Sequence, residues 1–306
     1  MTASRNTASI TRESLWMAAY FAVCVALFWQ PLWQLMRLSL SEDVYSHILL
    51  VPFVTLALIV MNRTRGSTTD RGSVSAAAAL MLVSALLSGL IWRSGPKLLP
   101  GGPLALTILS FLLLVWAGVM LVYGTGAFFR WLFPLLFLLL LVPLPQPVID
   151  KFIEWLQTGS AEVTYWLFRA TGTPVFRHGY VFIVPKFAIE IATECSGIRS
   201  AVALLITCLL AGYLFLRSNW SRAALLVAAV PVLVIKNGVR IVTLTLLSIH
   251  VDPGFLHGNL HREGGFLFFL IGLLILWPVL WWLQRLEARR SPQHPAAPVL
   301  RSGMPA

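Results

Sequence analysis

Apolar residues fall in eight long blocks, near 16–39, 46–62, 74–92, 103–123, 128–144, 195–216, 223–248 and 265–284. A helix needs about 20 mostly apolar residues to cross a bilayer core, so each block predicts a transmembrane helix. The second and fifth blocks are short and carry Pro52, Pro134 and Pro143, which blurs their ends. The seventh contains Pro231, a predicted kink that neighbouring helices can accommodate. No cleavable secretory signal is evident, and the first block is followed by more spans, so it reads as an uncleaved first helix.

Two segments between blocks break the pattern. Residues 145–194 mix Trp155, Tyr165 and Trp166 with charges, and 152–170 has the composition of a helix lying in the interface. Residues 175–192 alternate and are β-branched enough for one or two short strands. The other segment, near 249–264, reads IHVDPGFLHGNLHREGG and packs three histidines beside a span. No internal repeat is visible, which weakens an inverted-repeat transporter reading. The fold class predicted is an all-α polytopic membrane protein. Residues 1–284 form a single transmembrane domain, and 285–306 form a basic, Pro-rich, disordered cytoplasmic tail.

Composition agrees with the blocks. Hydrophobic residues make up 58% of the chain, charged residues 11%, and the mean hydropathy is +0.81. A soluble domain carries about 25% charged residues. The net charge of +11 on a soluble chain would point to nucleic acid, but basic residues also collect in the cytoplasmic loops of membrane proteins, and that reading excludes a nucleic-acid partner here.

Charge also orients the spans. Eight spans put both termini on one side. If that side is cytoplasmic, it holds Arg5, Arg12, Arg63, Arg65, Arg71, Arg217, Arg222, Arg285, Arg289, Arg290 and Arg301 against only Glu13, Asp70 and Glu287. The outer segments hold seven basic and nine acidic residues. The positive-inside rule selects this orientation.

Ionisable groups within or beside a span are functional candidates. Three sites qualify: ATECSGIRS with Cys195 and Arg199, IKNGVRI with Lys236, Asn237 and Arg240, and HGNLHREGG with His257 and His261. The topology places all three toward the outer face. Cys195 begins the sixth span there, Arg240 lies about 12 Å short of the outer end of the seventh, and His261 sits on the outer loop.

The set fits thiol chemistry. A thiolate at a helix N-terminus is favoured by the helix dipole, and a nearby Arg favours it further. An Arg could instead stabilise an oxyanion, and a His could exchange the proton with a leaving amine. Gly197 allows a close approach of backbone or substrate. Blander readings stand beside these. Cys195 could be a small packed side chain, as Cys24 and Cys208 are read to be. Arg240 could pair with Glu190 or Glu194, and Lys236 could serve packing. The three cysteines show no metal or disulfide spacing, and His257 and His261 lack the zinc-protease pattern, so neither metal nor cofactor is expected.

At these residues the chain resembles the exosortase/archaeosortase family. The likeness rests on ECSGIRS around Cys195, NGVRI ending at Arg240 and HREGGF at His261. VYSHILLVP at 44–52, VPLP at 142–145 and the approach GTPVFRHGYVFIVPKFAIEIATECSG extend it over roughly 45–270. The resemblance implies a membrane cysteine peptidase or transpeptidase in which Cys195 is nucleophile, Arg240 stabilises thiolate or oxyanion, and His261 is acid/base. Arg199, Asn237, Glu194, Glu190 and His257 are supporting candidates.

It also implies the partners: exported, membrane-tethered proteins ending in a short motif such as Pro-Glu-Pro, a transmembrane helix and a basic cluster. The acyl group could pass to a lipid or polysaccharide acceptor at the periplasmic face of a bacterial inner membrane. The third motif departs from the family pattern. His261 is followed by Arg, not Asp, while keeping its four-residue step to Gly265, which implies a specialised subtype. A transporter or export component of an exopolysaccharide system, lined by Lys236 and Arg240, is the alternative from another class.

Overall fold

The structure, a computed structural model, describes residues 3–62, 74–94, 100–191, 197–256 and 265–290. Two compact units are formed: residues 1–159, 178–181 and 189–202 in one, and 160–177, 182–188 and 203–306 in the other. Both are built mainly of apolar helices, as an all-α polytopic membrane protein requires. Six described helices are long and apolar enough to cross a membrane, or up to eight spans if each of two bent pairs counts as one.

In the first unit, helix α1 (Ala3–Leu27) bends by 78° into α2 (Trp29–Ser41), so the block at 16–39 is not one straight rod. A 3₁₀ turn (Asp43–Leu49) leads into α3 (Val51–Asn62). Pro52 sits in the first turn of α3, where its missing N–H costs nothing. Helix α4 (Val74–Ser94) packs along α5 (Gly102–Arg130). Within their largely apolar seam one polar site is closed on itself: Ser110 Oγ donates to the Ser84 carbonyl at 2.7 Å, and Ser84 Oγ donates to the Ser110 carbonyl at 2.9 Å. Hydroxyls satisfied this way hold helices together in lipid, where apolar contact alone gives little preference.

Helix α5 is the centre of this unit, with Ile108, Leu112 and Ala117 fully buried. At Gly118 an added Cβ would collide with the Tyr20 ring, so glycine lets α1 lie against α5. Gly124 breaks α5, with φ 84° and ψ 168° in a region open to glycine. The chain then returns through α6 (Leu132–Phe137) and a 3₁₀ turn (Leu138–Leu141), both packed on α3 and α5. The return is complete: Gln146 N donates to the Pro100 carbonyl at 3.2 Å, beside the start of α5. From Gly102 to Tyr123 a helix rises about 33 Å. The short, proline-bearing block at 128–144 therefore recrosses the height of α5.

Helix α7 (Gln146–Ala170) runs at 93° to that return, and covers the segment expected at the interface. Three strands come next, β1 (Phe176–His178), β2 (Val181–Val184) and β3 (Phe187–Glu190), in the order β1-β2-β3. One or two strands were expected. The third arises because the chain reverses twice, with Gly179 at φ 62° and Lys186 at φ 84°.

Helices α8 (Ile198–Phe215), α9 (Asn219–His250) and α10 (Gly265–Arg290) complete the chain. In the second unit, Glu287 of α10 accepts from Arg217 N at 2.9 Å and Ser218 N at 2.7 Å, satisfying backbone donors where α9 begins. Helix α9 continues through Pro231 to His250. Lys236 is only 1% exposed, and its stem packs 3.3 Å from the Cβ position of Gly272, which also faces Leu204. Cys24 and Cys208 are buried free thiols, in keeping with packing roles.

Candidate active site

Cys195 and Glu194 lie in 192–196, and His257 and His261 in 257–264; all four are outside the described residues. The residues around these segments are described.

In the first unit, the strand approaching Cys195 is fixed at its end. Ile191 is buried, its N–H donates to the Tyr180 carbonyl at 3.0 Å, and its carbonyl accepts from the Gln157 side chain of α7. Helix α8 then starts at Ile198, three residues after Cys195, rather than at the cysteine itself. Gly197 forces the later start: it takes φ 71°, a left-handed conformation outside any helix, and its carbonyl accepts from Ala201 N at 2.9 Å.

Arg199, in the first turn of α8, pairs with Asp43 at 3.1 Å. Two residues beyond Asp43, Tyr45 is buried and its hydroxyl donates to the Leu144 carbonyl at 3.0 Å. His47 places Nδ1 3.1 Å from the Val44 carbonyl. Thus Tyr45 and its neighbour Asp43, Leu144 of VPLP and Arg199, more than 140 residues apart at their extremes, are linked within one unit. Glu190 lies exposed at the end of β3.

In the second unit, the IKNGVRI turn of α9 is locked to α7. Asn237 Nδ2 donates to Ser160 Oγ at 2.9 Å, with Asn237 1% and Ser160 0% exposed. A Cβ on Gly238 would stand 2.6 Å from Val163 Cγ1, so glycine allows α7 to approach the α9 backbone. Arg240 comes one turn after Lys236 and is partly exposed, ten residues before the end of α9. A buried lysine and a partly exposed arginine thus lie four residues apart on one side of the helix, where ionisable groups within a span are functional candidates.

Sequence reasoning missed Asp43, Gln157, Ser160 and Lys186. Asp43 stood in an outer segment among other acids, and nothing in the chain told which of them Arg199 would meet. Ser160 was the more legible: it falls between charged positions of α7, yet is enclosed. Among the described residues no group of three His, Cys, Asp or Glu side chains comes together to hold a metal.

Residues 33–278 match the family model described as transmembrane exosortase. No curated protein and no solved structure matches the chain.

Proposed function

The chain belongs to the transmembrane exosortase family, and from that premise we propose that it is a thiol peptidase or transpeptidase acting on exported proteins with C-terminal sorting tails. Family membership supports a membrane-embedded peptidase or transpeptidase role in general. The observation that carries the finer reading is the ordered set of Cys195, Arg240 and His261 inside the matched 33–278.

In this reading the Cys195 thiolate attacks the carbonyl carbon of the scissile peptide bond, forming an S–C bond. Arg240 stabilises the thiolate before attack or the oxyanion after it. The C–N bond then breaks, and His261 delivers a proton to the departing amine. The tail, with its transmembrane helix, leaves. An amine or hydroxyl acceptor, or water, attacks the thioester; His261 takes its proton, and the thiolate is regenerated. The bilayer holds the substrate helix, so its outer end is presented to the thiol with little search. The charge asymmetry of the loops supports cytoplasmic termini and a site at the outer face, which in this reading is the periplasmic face of a bacterial inner membrane.

The test is coexpression with a tailed reporter, following loss of the tail in wild type, Cys195→Ala and Cys195→Ser. Wild type is expected to release the tail and both variants to retain it. Normal processing by Cys195→Ala overturns the nucleophile assignment. A defect in polysaccharide export with intact processing favours the export-component reading.

A further inference from the structure

We propose that Lys186 is a positioning residue, which fixes the outer end of α9 and so the direction in which the chain leaves it toward the His261 motif; the proposal rests on the thiol-peptidase reading of Cys195, Arg240 and His261.

Three observations within the second unit carry it. First, Lys186 Nζ donates to the Ile249 carbonyl at 2.6 Å. That carbonyl is among the last four of α9, which have no partner inside the helix and carry the negative end of its dipole. A lysine is the matching charge there, and the bond is charge-assisted.

Second, Lys186 is the only non-glycine residue at positive φ among the described residues, at 84°. A lysine gains nothing intrinsic from that conformation, and the neighbouring turn uses Gly179 for it. A residue held in a disfavoured conformation calls for a reason beyond the turn itself. Aiming the ammonium at Ile249 supplies one.

Third, local bonds on either side of Ile249 set the course of the chain beyond it. Val251 N and Asp252 N both donate to the Leu247 carbonyl, at 2.9 and 3.1 Å. Asp252 Oδ1 then accepts from Gly254 N at 2.7 Å, and the Asp252 carbonyl accepts from Phe255 N at 3.1 Å. The direction in which the chain leaves α9 is thus set from Leu247 to Phe255, six residues before His261. Arg240, upstream on the same helix, is held separately by the Asn237–Ser160 bond and the close approach at Gly238, so the Lys186 tether acts on the end of α9 beyond it.

The experiment compares Lys186→Gly, Lys186→Met and Lys186→Arg in the full-length protein. Glycine keeps the turn without strain and removes only the tether, so this variant folds even if methionine does not. Kinetics of reporter processing in nanodiscs separate kcat from KM, and amide exchange at Val251, Asp252 and Phe255 reads the end of α9 independently of chemistry.

Lys186→Gly is expected to lower kcat by about tenfold or more with KM little changed, since a small misplacement of reacting groups costs up to about 100-fold. Exchange at the three amides rises. Lys186→Arg restores both. Unchanged exchange and unchanged kcat in Lys186→Gly overturn the proposal while leaving the thiol reading intact. Normal processing in Cys195→Ala overturns the thiol reading instead, and exchange then still decides whether Lys186 holds α9.

Discussion

Asn237 of α9 donates from its side-chain amide to Ser160 Oγ of α7 at 2.9 Å, with both residues enclosed. One residue on, Gly238 has no room for a side chain against Val163. The hydrogen bond and the close approach occupy the same turn, but they differ in energy. Side-chain hydrogen bonds between membrane helices are worth about 0.6 kcal/mol on average and at most about 1.7. Forcing a methyl group into a full space typically costs about 1–3 kcal/mol. Gly238→Ala is therefore expected to destabilise the protein more than Ser160→Ala. Thermal denaturation in one detergent, read for both variants, checks the order.

The Arg199–Asp43 pair is of another kind. Its side chains are 67% and 74% exposed. Exposed ion pairs contribute about 0–1 kcal/mol and are screened by salt. Asp43→Asn is expected to change stability by no more than about 1 kcal/mol. A large loss in melting temperature for Asp43→Asn would show that the pair carries more of the join between the first 3₁₀ turn and α8 than its exposure allows.

The parts of the fold that could be read from the sequence were those that long hydrophobic runs dictate. The blocks at 74–92, 103–123, 223–248 and 265–284 each became a helix, because an apolar run of that length has few other ways to satisfy its backbone in lipid. Bends were less legible. Neither the turn at Phe28 nor the break at Gly124 interrupts hydropathy, and a single glycine in a span predicts nothing by itself. The third strand was hidden because its turn uses Lys186, a residue without turn preference, held by a carbonyl 63 positions away. Partners such as Asp43 and Ser160 were hidden for the same reason: periodicity marks which face is enclosed, and tertiary packing chooses what meets it. The motif residues were legible as chemistry, and the family match over 33–278 agrees with the resemblance they carry.

The return of the chain from Gly124 to Pro100 makes a topological prediction. If 125–144 recrosses the membrane, the C-terminal end of α3 at Asn62 and the start of α7 lie on opposite sides. In a Cys195→Ala background, where Cys24 and Cys208 are buried, Asp150→Cys is expected to react with an impermeant maleimide added to intact cells. Arg65→Cys is expected to react only after lysis. Like behaviour of the two cysteines in intact cells, both protected or both labelled, would mean that the fifth block dips and returns rather than crosses.

Arg240 gives the sharpest chemical prediction. It is partly exposed, one turn beyond the enclosed Lys236, on a helix whose rotation Asn237 and Gly238 fix against α7. A guanidinium carried on a backbone fixed this way suits the role proposed for it, stabilising an anion that forms only during reaction. Interactions made mainly in the transition state lower kcat when removed and leave KM nearly alone. Arg240→Ala is accordingly expected to lower kcat by about 10²–10³, the typical loss for one oxyanion donor. Arg240→Lys keeps a charge but loses the planar fork, and recovers only part of the rate. If the guanidinium acts on the thiolate before attack, Arg240→Ala also slows alkylation of Cys195 at neutral pH; if it acts on the oxyanion, alkylation is unchanged while processing falls. Equal losses in kcat and in substrate binding would place Arg240 in tail recognition, not in the chemical step.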